Sequence, residues 1–309
     1  MSDTTTESAT ARRVVVGYDT SGGAVRAVRV AATVAVERGL GLTILMAARD
    51  LDATATRTAR NLRANPAYLD ELRAAVQAKI DAFIATLAPD YPGLDVRTVL
   101  TGGNPAGVLS EASKDAALVV VGARGNTAGH RTPMLGGVST AVIAHSEGPV
   151  LVVPETASPN PQGPVVLGLQ DAPDARAAGE IAAREAEIRG VPLVAIYAWD
   201  ISPELGDLGA LAVLDPVKTQ HDLESMLTEL LAPITAGHEN LVVERRVVQG
   251  SARSALVEAS HSAVLIVLGS RGLGGFAGLM LGSISRSVTR EAACPVLVVR
   301  YRGHDAAES

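Results

Sequence analysis

Val248 to Gly272, VQGSARSALVEASHSAVLIVLGSRG, reads as a helix followed by an apolar strand that ends in a glycine turn, and it lines up with Leu100 to Gly125 earlier in the same chain. Gly250 matches Gly103, Gly269 matches Gly122 and Gly272 matches Gly125, all at one constant offset. The openings of the two halves also match. Val14-Val15-Val16-Gly17 pairs with Val165-Val166-Leu167-Gly168, and Arg38-Gly39 with Arg189-Gly190, at a slightly larger offset that a few lost residues reconcile. Self-similarity over so long a period identifies a tandem duplication. A chain of 309 residues then divides into two domains of ordinary size.

Working outward from the repeat, apolar strands alternate with helical patterns. In the first half, strands are predicted at Arg13–Gly17, Leu42–Ala47, Val96–Leu100, Ala117–Val121 and Val150–Val153. A helix with Val28, Ala31, Ala32 and Ala35 on one face follows the first strand, capped by Ser21 or Thr20. Further helices are predicted at Pro66–Leu87, Pro105–Lys114 and Gly137–His145. The second half repeats the order, with strands near Val165–Leu169, Leu193–Ala198, Leu241–Val248, Val264–Leu268 and Val296–Arg300. Its helices fall near Asp174–Arg189, Val217–Ile234, Arg253–Ser260 and Ser283–Glu291. Continuously apolar strands separated by helices imply parallel sheets covered on both faces, so each half is expected to be a doubly wound α/β domain.

The expected boundaries are a disordered tail over 1–11, a first domain over 12–154, a linker over 155–163, a second domain over 164–301 and a tail over 302–309. The segment PETASPNPQGP at 154–164 carries four prolines and no periodicity, and reads as a semi-extended, solvent-facing linker. Val150–Val153 and Val296–Val299 are apolar strands that would be sheet edges in isolated halves, so the halves are expected to cover them against each other.

Composition narrows the partners. With a net charge of −6, 3% aromatic residues and no block of Lys or Arg, the chain is poorly equipped to attract a phosphate backbone or stack bases, and nucleic acid is not an expected partner. No apolar run approaches the roughly 20 residues needed to span a bilayer. The polar N-terminus lacks the apolar core of a secretory signal, and a cytoplasmic location is the expectation. The single cysteine, Cys294, directly precedes an apolar strand and reads as a buried structural thiol. The histidines form no metal-binding spacing, so no metal site is expected.

The chemistry concentrates in the glycine turn. After the strand at Val264–Leu268 come Gly269-Ser270-Arg271-Gly272, nine residues, and then Gly282-Ser283-Ile284-Ser285 at the start of a helix. Glycines let the backbone approach an anion, and the free N–H groups at a helix N-terminus point toward it. Gly-x2-Gly-x9-Gly-Ser after a buried strand, the upstream Val-x-x-Gly segment and the closing Cys-Pro-Val resemble the universal stress protein family, over nearly all of both halves. The resemblance implies five parallel strands in the order 3-2-1-4-5 in each half. It also implies ATP, or AMP or ADP, in the crevice between strands one and four, with Mg2+ accompanying ATP. Doubly wound sheets bind ligands at that same point, where the strand order reverses.

The resemblance assigns Asp19 to the ribose or adenine, and Gly122, Arg124, Gly125, Gly136 and Gly137 to the first phosphate loop. In the second half it assigns Gly269, Arg271, Gly272, Gly282, Ser283 and Ser285 to the loop, with Gln170 at the position of the aspartate. Each half departs from the family pattern. The first loop has ten residues between Gly125 and Gly136, includes Pro133, and carries Gly137 where a hydroxyl residue belongs; in the second half Gln170 replaces the aspartate and Asp171 follows one residue late. On loop spacing and on Ser283, the second half is expected to hold a triphosphate better. Ala47 and Ala198 fall where the family encloses adenine, and small apolar residues there also suit simple packing.

Three functions compete. A non-enzymatic, nucleotide-binding stress-response regulator, signalling to a regulatory protein and compatible with homo-oligomer formation, leads. An ATP-independent interaction or scaffold protein with degenerate sites is the alternative, and a slow ATPase comes last. The chain has no G-x4-G-K-[ST], its lysines (Lys79, Lys114, Lys218) lie away from the glycine loops, and neither loop carries an Asp or Glu between its glycines. Ser283 is expected to cap its helix rather than act as a nucleophile.

Overall fold

The computed structural model describes residues 10–48, 66–125, 135–170, 175–199, 216–270 and 281–300. The chain forms two compact units, 1–155 and 156–309. In the first, the order is β1 (Val14–Gly17), α1 (Gly22–Glu37), β2 (Leu42–Ala48), α2 (Pro66–Ala85), β3 (Val96–Gly102), α3 (Pro105–Ala112), β4 (Leu118–Gly122), α4 (Gly137–His145) and β5 (Val150–Val153). The second repeats it as β6 (Val165–Leu169), α5 (Ala175–Arg189), β7 (Leu193–Trp199), α6 (Pro216–Thr235), β8 (Val243–Gln249), α7 (Ala252–Ser260), β9 (Leu265–Gly269), α8 (Ser283–Glu291) and β10 (Val296–Val299). β8 starts at Val243, after the expected Leu241.

All strand pairs in the first unit are parallel, in the order β3-β2-β1-β4-β5; the second unit runs β8-β7-β6-β9-β10 in the same sense. Each sheet is an α/β doubly wound sheet, and its order reverses between β1 and β4, or between β6 and β9. The central strands are buried on both faces, which is why they are written in valine, leucine and isoleucine without alternation. α1 turns a face of small residues, Ala24, Ala27, Ala31 and Ala35, onto β1 and β4, so the helix lies close to the sheet. α3 packs beside α4 on the other side, as α7 does beside α8. The duplication extends to the backbone: Gly39 and Gly190 end the first helix of each unit at φ of +62° and +64°.

The Arg13 guanidinium, buried, ties three strands together at the N-terminal end of the first sheet. It donates to Thr43 Oγ1 (3.0 Å) and the Leu42 carbonyl (2.9 Å) on β2, and to the Asp95 carboxylate (2.5 Å) beside β3. Cys294 is fully buried before β10, and burial pushes its thiol up to about 12, which leaves it without thiolate at neutral pH.

The proline-rich segment is mostly exposed and contains turns at 155–156 and 161–162, yet it is fastened down. Ser158 N–H donates to the Ala293 carbonyl (2.7 Å) and Asn160 N–H to the Ala263 carbonyl (3.3 Å). Gly163 lies so close to the turn between α7 and β9 that a Cβ there would sit 2.0 Å from the Ser262 carbonyl oxygen. From Thr156 on, its residues belong to the second unit.

Candidate functional site

At the C-terminal ends of β1 and β4 the first unit holds a crevice of about 540 Å3, well inside the range of about 300–1,000 Å3 in which small-molecule sites fall. Asp19, Gly122, Arg124, Gly125, Gly136 and Gly137, the candidate residues of the first half, all line it. The rest of its lining is mostly apolar, with Leu45 and Ala47 from β2, Pro105 and Leu109 from α3, Val121 from β4 and Val138 from α4, joined by Tyr18 and Ser139.

Local structure explains how the polar groups are aimed. β1 ends at Gly17, and the chain must turn at once into α1. Asp19 Oδ1 accepts the Ser21 N–H (3.0 Å), and Ser21 Oγ accepts the Ala24 N–H (3.1 Å) as the helix cap. Thr20 between them stands at φ +68°, an uncommon conformation for a β-branched residue. The turn holds the half-buried Asp19 carboxylate against the facing loop, where a Cβ built on Gly125 would lie 2.4 Å from Asp19 Oδ2. Only a residue without a side chain fits there unless the carboxylate moves. Tyr18, next to Asp19, stacks on Phe83 with ring centroids 5.1 Å apart; burial, and then the Asp19 charge, raise its phenol pKa.

The N-terminus of α4 also lines the crevice. Gly136 is its N-cap, in extended conformation and without a side-chain cap, so the first N–H groups of the helix have no partner inside it. The loop is pinned at its base, where Gly136 N–H donates to the Ala123 carbonyl (2.8 Å) and Ser139 Oγ donates to the same carbonyl (2.9 Å). Arg124 reaches the crevice and pairs with Glu155 (3.2 Å). A carboxylate, the amides of a helix N-terminus and a guanidinium around one crevice would suit a ligand that carries both hydroxyls and negative charge.

The second unit keeps the frame and loses the space. Gly282 N–H donates to the Ser270 carbonyl (2.9 Å) and Ser285 Oγ to the Gly269 carbonyl (2.8 Å), repeating the loop staple of the first unit. Gln170, Gly269 and Ser285 line a cavity there with Ala198, Leu268 and Ile284, of about 30 Å3, room for about one water molecule. The volumes thus run opposite to the expectation drawn from loop spacing. The N-cap of α8 is Gly282, with no side-chain cap bond; Ser283, expected as the cap, is the first helical residue and is exposed. The extended backbone belongs to Gly282 (ψ 155°), which leaves the serine inside the first turn. Arg271, Gly272, Asp171 and Pro133 lie outside the described residues.

Sequence reasoning singled out Ser285 but not its counterpart Ser139, which aligning the units on Gly136 and Gly282 would have found. It also missed the aliphatic wall of Leu45, Leu109, Val121 and Val138, whose residue types look like ordinary core.

A family model described as the universal stress protein family matches residues 10–154 and again 163–300. The chain belongs to that family. A universal stress protein of Mycobacterium tuberculosis strain H37Rv is 37% identical over 201 residues, 62% of this chain and 61% of its own, so the match spans about three fifths of that relative. One from Mycolicibacterium smegmatis is 36% identical over 223 residues, 71% of this chain and 74% of its own. Among solved structures, a universal stress protein from Archaeoglobus fulgidus superposes with a TM-score of 0.61 at 22% identity, covering 94% of this chain and 98% of its own. As a universal stress protein, the chain carries the family's α/β unit twice. Among the described residues no helix is long and apolar enough to cross a membrane.

Proposed function

We propose that the crevice of the first unit binds an adenine nucleotide, ATP with its Mg2+ or the shorter AMP and ADP, and that occupancy is the signal this universal stress protein passes to a regulatory partner, without chemistry on the nucleotide. The observation that carries the reading is the cavity of about 540 Å3 at the β1–β4 switch point, lined both by the Asp19 carboxylate and by the N-terminus of α4. Asp19 would accept from ribose hydroxyls, the amides around Gly137 and the Arg124 guanidinium would face the phosphates, and Leu45, Ala47, Pro105 and Leu109 would enclose the base.

Calorimetric titration with Mg-ATP tests it. The native chain should bind, and Gly125→Val, which drives a side chain into the place of the Asp19 carboxylate, should weaken binding at least tenfold, since a charge-assisted hydrogen bond contributes about 1.5–3 kcal/mol. No heat from the native chain would leave the alternative of an ATP-independent scaffold, and the same affinity in the variant would show that the nucleotide is not held beside Asp19 in the first unit. The filled second crevice favours that alternative for the second unit.

A further inference from the structure

We infer that the second unit is closed to nucleotide by its own aliphatic side chains, with Leu268 and Ile284 as the residues that decide it, so that the chain has room for one nucleotide. The two crevices share a frame and differ in their walls. β4 and β9 each place their fourth residue over the crevice floor, Val121 in the first unit and Leu268 in the second. The second residue of the loop helix is Val138 in α4 and Ile284 in α8. The strand behind contributes Leu45 in one and Ile196 in the other.

The floor itself is the glycine that precedes the ribose-side residue, Gly17 or Gly168. The three atoms nearest a Cβ placed on Gly17 would all belong to Leu109, the closest at 2.9 Å. On Gly168 it would meet Leu268 Cδ2 at 2.4 Å and both Cδ atoms of Leu256 at 3.1 Å. Leu256 corresponds to Leu109, so the added cover comes from Leu268. Strand pairing sets Leu268 directly beside Gly168, and the extra methylene of leucine over valine folds into the notch that the glycine leaves. A buried, close-packed leucine does not yield to a ligand as a loop would, since interiors are packed to crystal-like density. These contacts involve only leucines, and the Gly-x2-Gly-x9-Gly-Ser spacing of the sequence is intact.

The inference rests on the proposed function only for the choice of probe, and its test reads the second unit alone. In a Gly125→Val chain, titration with Mg-ATP should show at most the first-unit site weakened tenfold or more; a site of native affinity there would overturn the closure. Adding Leu268→Val, Ile284→Val and Gln170→Asp to that chain should create one site per chain, a gain of at least tenfold over background. A cooperative melt with no gain would overturn the assignment to these side chains. If the multiple variant does not melt cooperatively, Val121→Leu in the native chain is decisive, because it copies the plug into the open crevice. Loss of tenfold or more in affinity supports the inference, and unchanged affinity overturns it. A native chain that binds nothing would refute the first-unit reading, while a gain in the opened variant would still establish the plug.

Discussion

Gly137 begins α4 with open space where a side chain would stand, since a Cβ there meets nothing within 4 Å. Gly137→Ser should be accommodated without strain and should return a hydroxyl to the phosphate end of the crevice. One added hydrogen bond contributes about 0.5–1.5 kcal/mol, so the dissociation constant for ATP should fall by roughly 2- to 13-fold, measured by the same calorimetric titration. The gain should vanish for adenosine, which has no phosphate to receive the bond. Gly136 is different: a Cβ there would meet the Ala123 carbonyl and Ser139 Oγ, each at 3.2 Å, so Gly136→Ala presses on the staple that holds the loop. Such residue-level differences were partly legible. The departure at Gly137 stands in the sequence, whereas the open space around it follows from how the loop leaves β4.

Strands and helices were readable because a doubly wound unit writes its buried strands as uninterrupted valine and leucine, runs such as LVVVG at 118–122 being flanked by glycine turns and helical alanines. What was not readable is how two equivalent strands fill the space above them. Val121 and Leu268 are both ordinary strand residues, and only the pairing of Gly168 with Leu268 turns one methylene into a plug. At the other end of the first sheet, Asp95 is held below the usual carboxylate range, first by the hydrogen bond from Arg13. A depressed folded-state pKa stabilises above the ordinary carboxylate value of about 4, and that stabilisation is lost as pH falls through the lowered value. Asp95→Asn should therefore lower the midpoint of thermal unfolding by about 1–3 °C at pH 7, the size expected of a largely solvated ion pair. The difference should narrow below pH 4, and a difference that grew on acidification would exclude this account.

For the molecule as a whole, bound ATP should outlast any catalytic timescale. The crevice offers amides and Arg124 to neutralise phosphate charge, but the residues between Gly125 and Gly136 include no Asp or Glu to orient a water or hold a metal. Turnover should be roughly one per hour or slower, comparable to a GTPase without its arginine finger, against about 10 per second for a typical enzyme. Phosphate release from contaminant-free protein decides this, and a rate near the enzymatic value that Gly125→Val abolishes would make the protein an ATPase. A different consequence follows from the fastening of Ser158, Asn160 and Gly163 onto the second unit. Where the chain can be divided is set by those bonds and not by its prolines: a fragment beginning at Thr156 carries its own N-terminal strap, while one beginning at Pro161 leaves the Ala293 and Ala263 carbonyls bare. A protease probing the native protein should accordingly find the proline-rich stretch a poor place to cut, exposed as it is, because a bond must come away from its anchors before it can enter an active site.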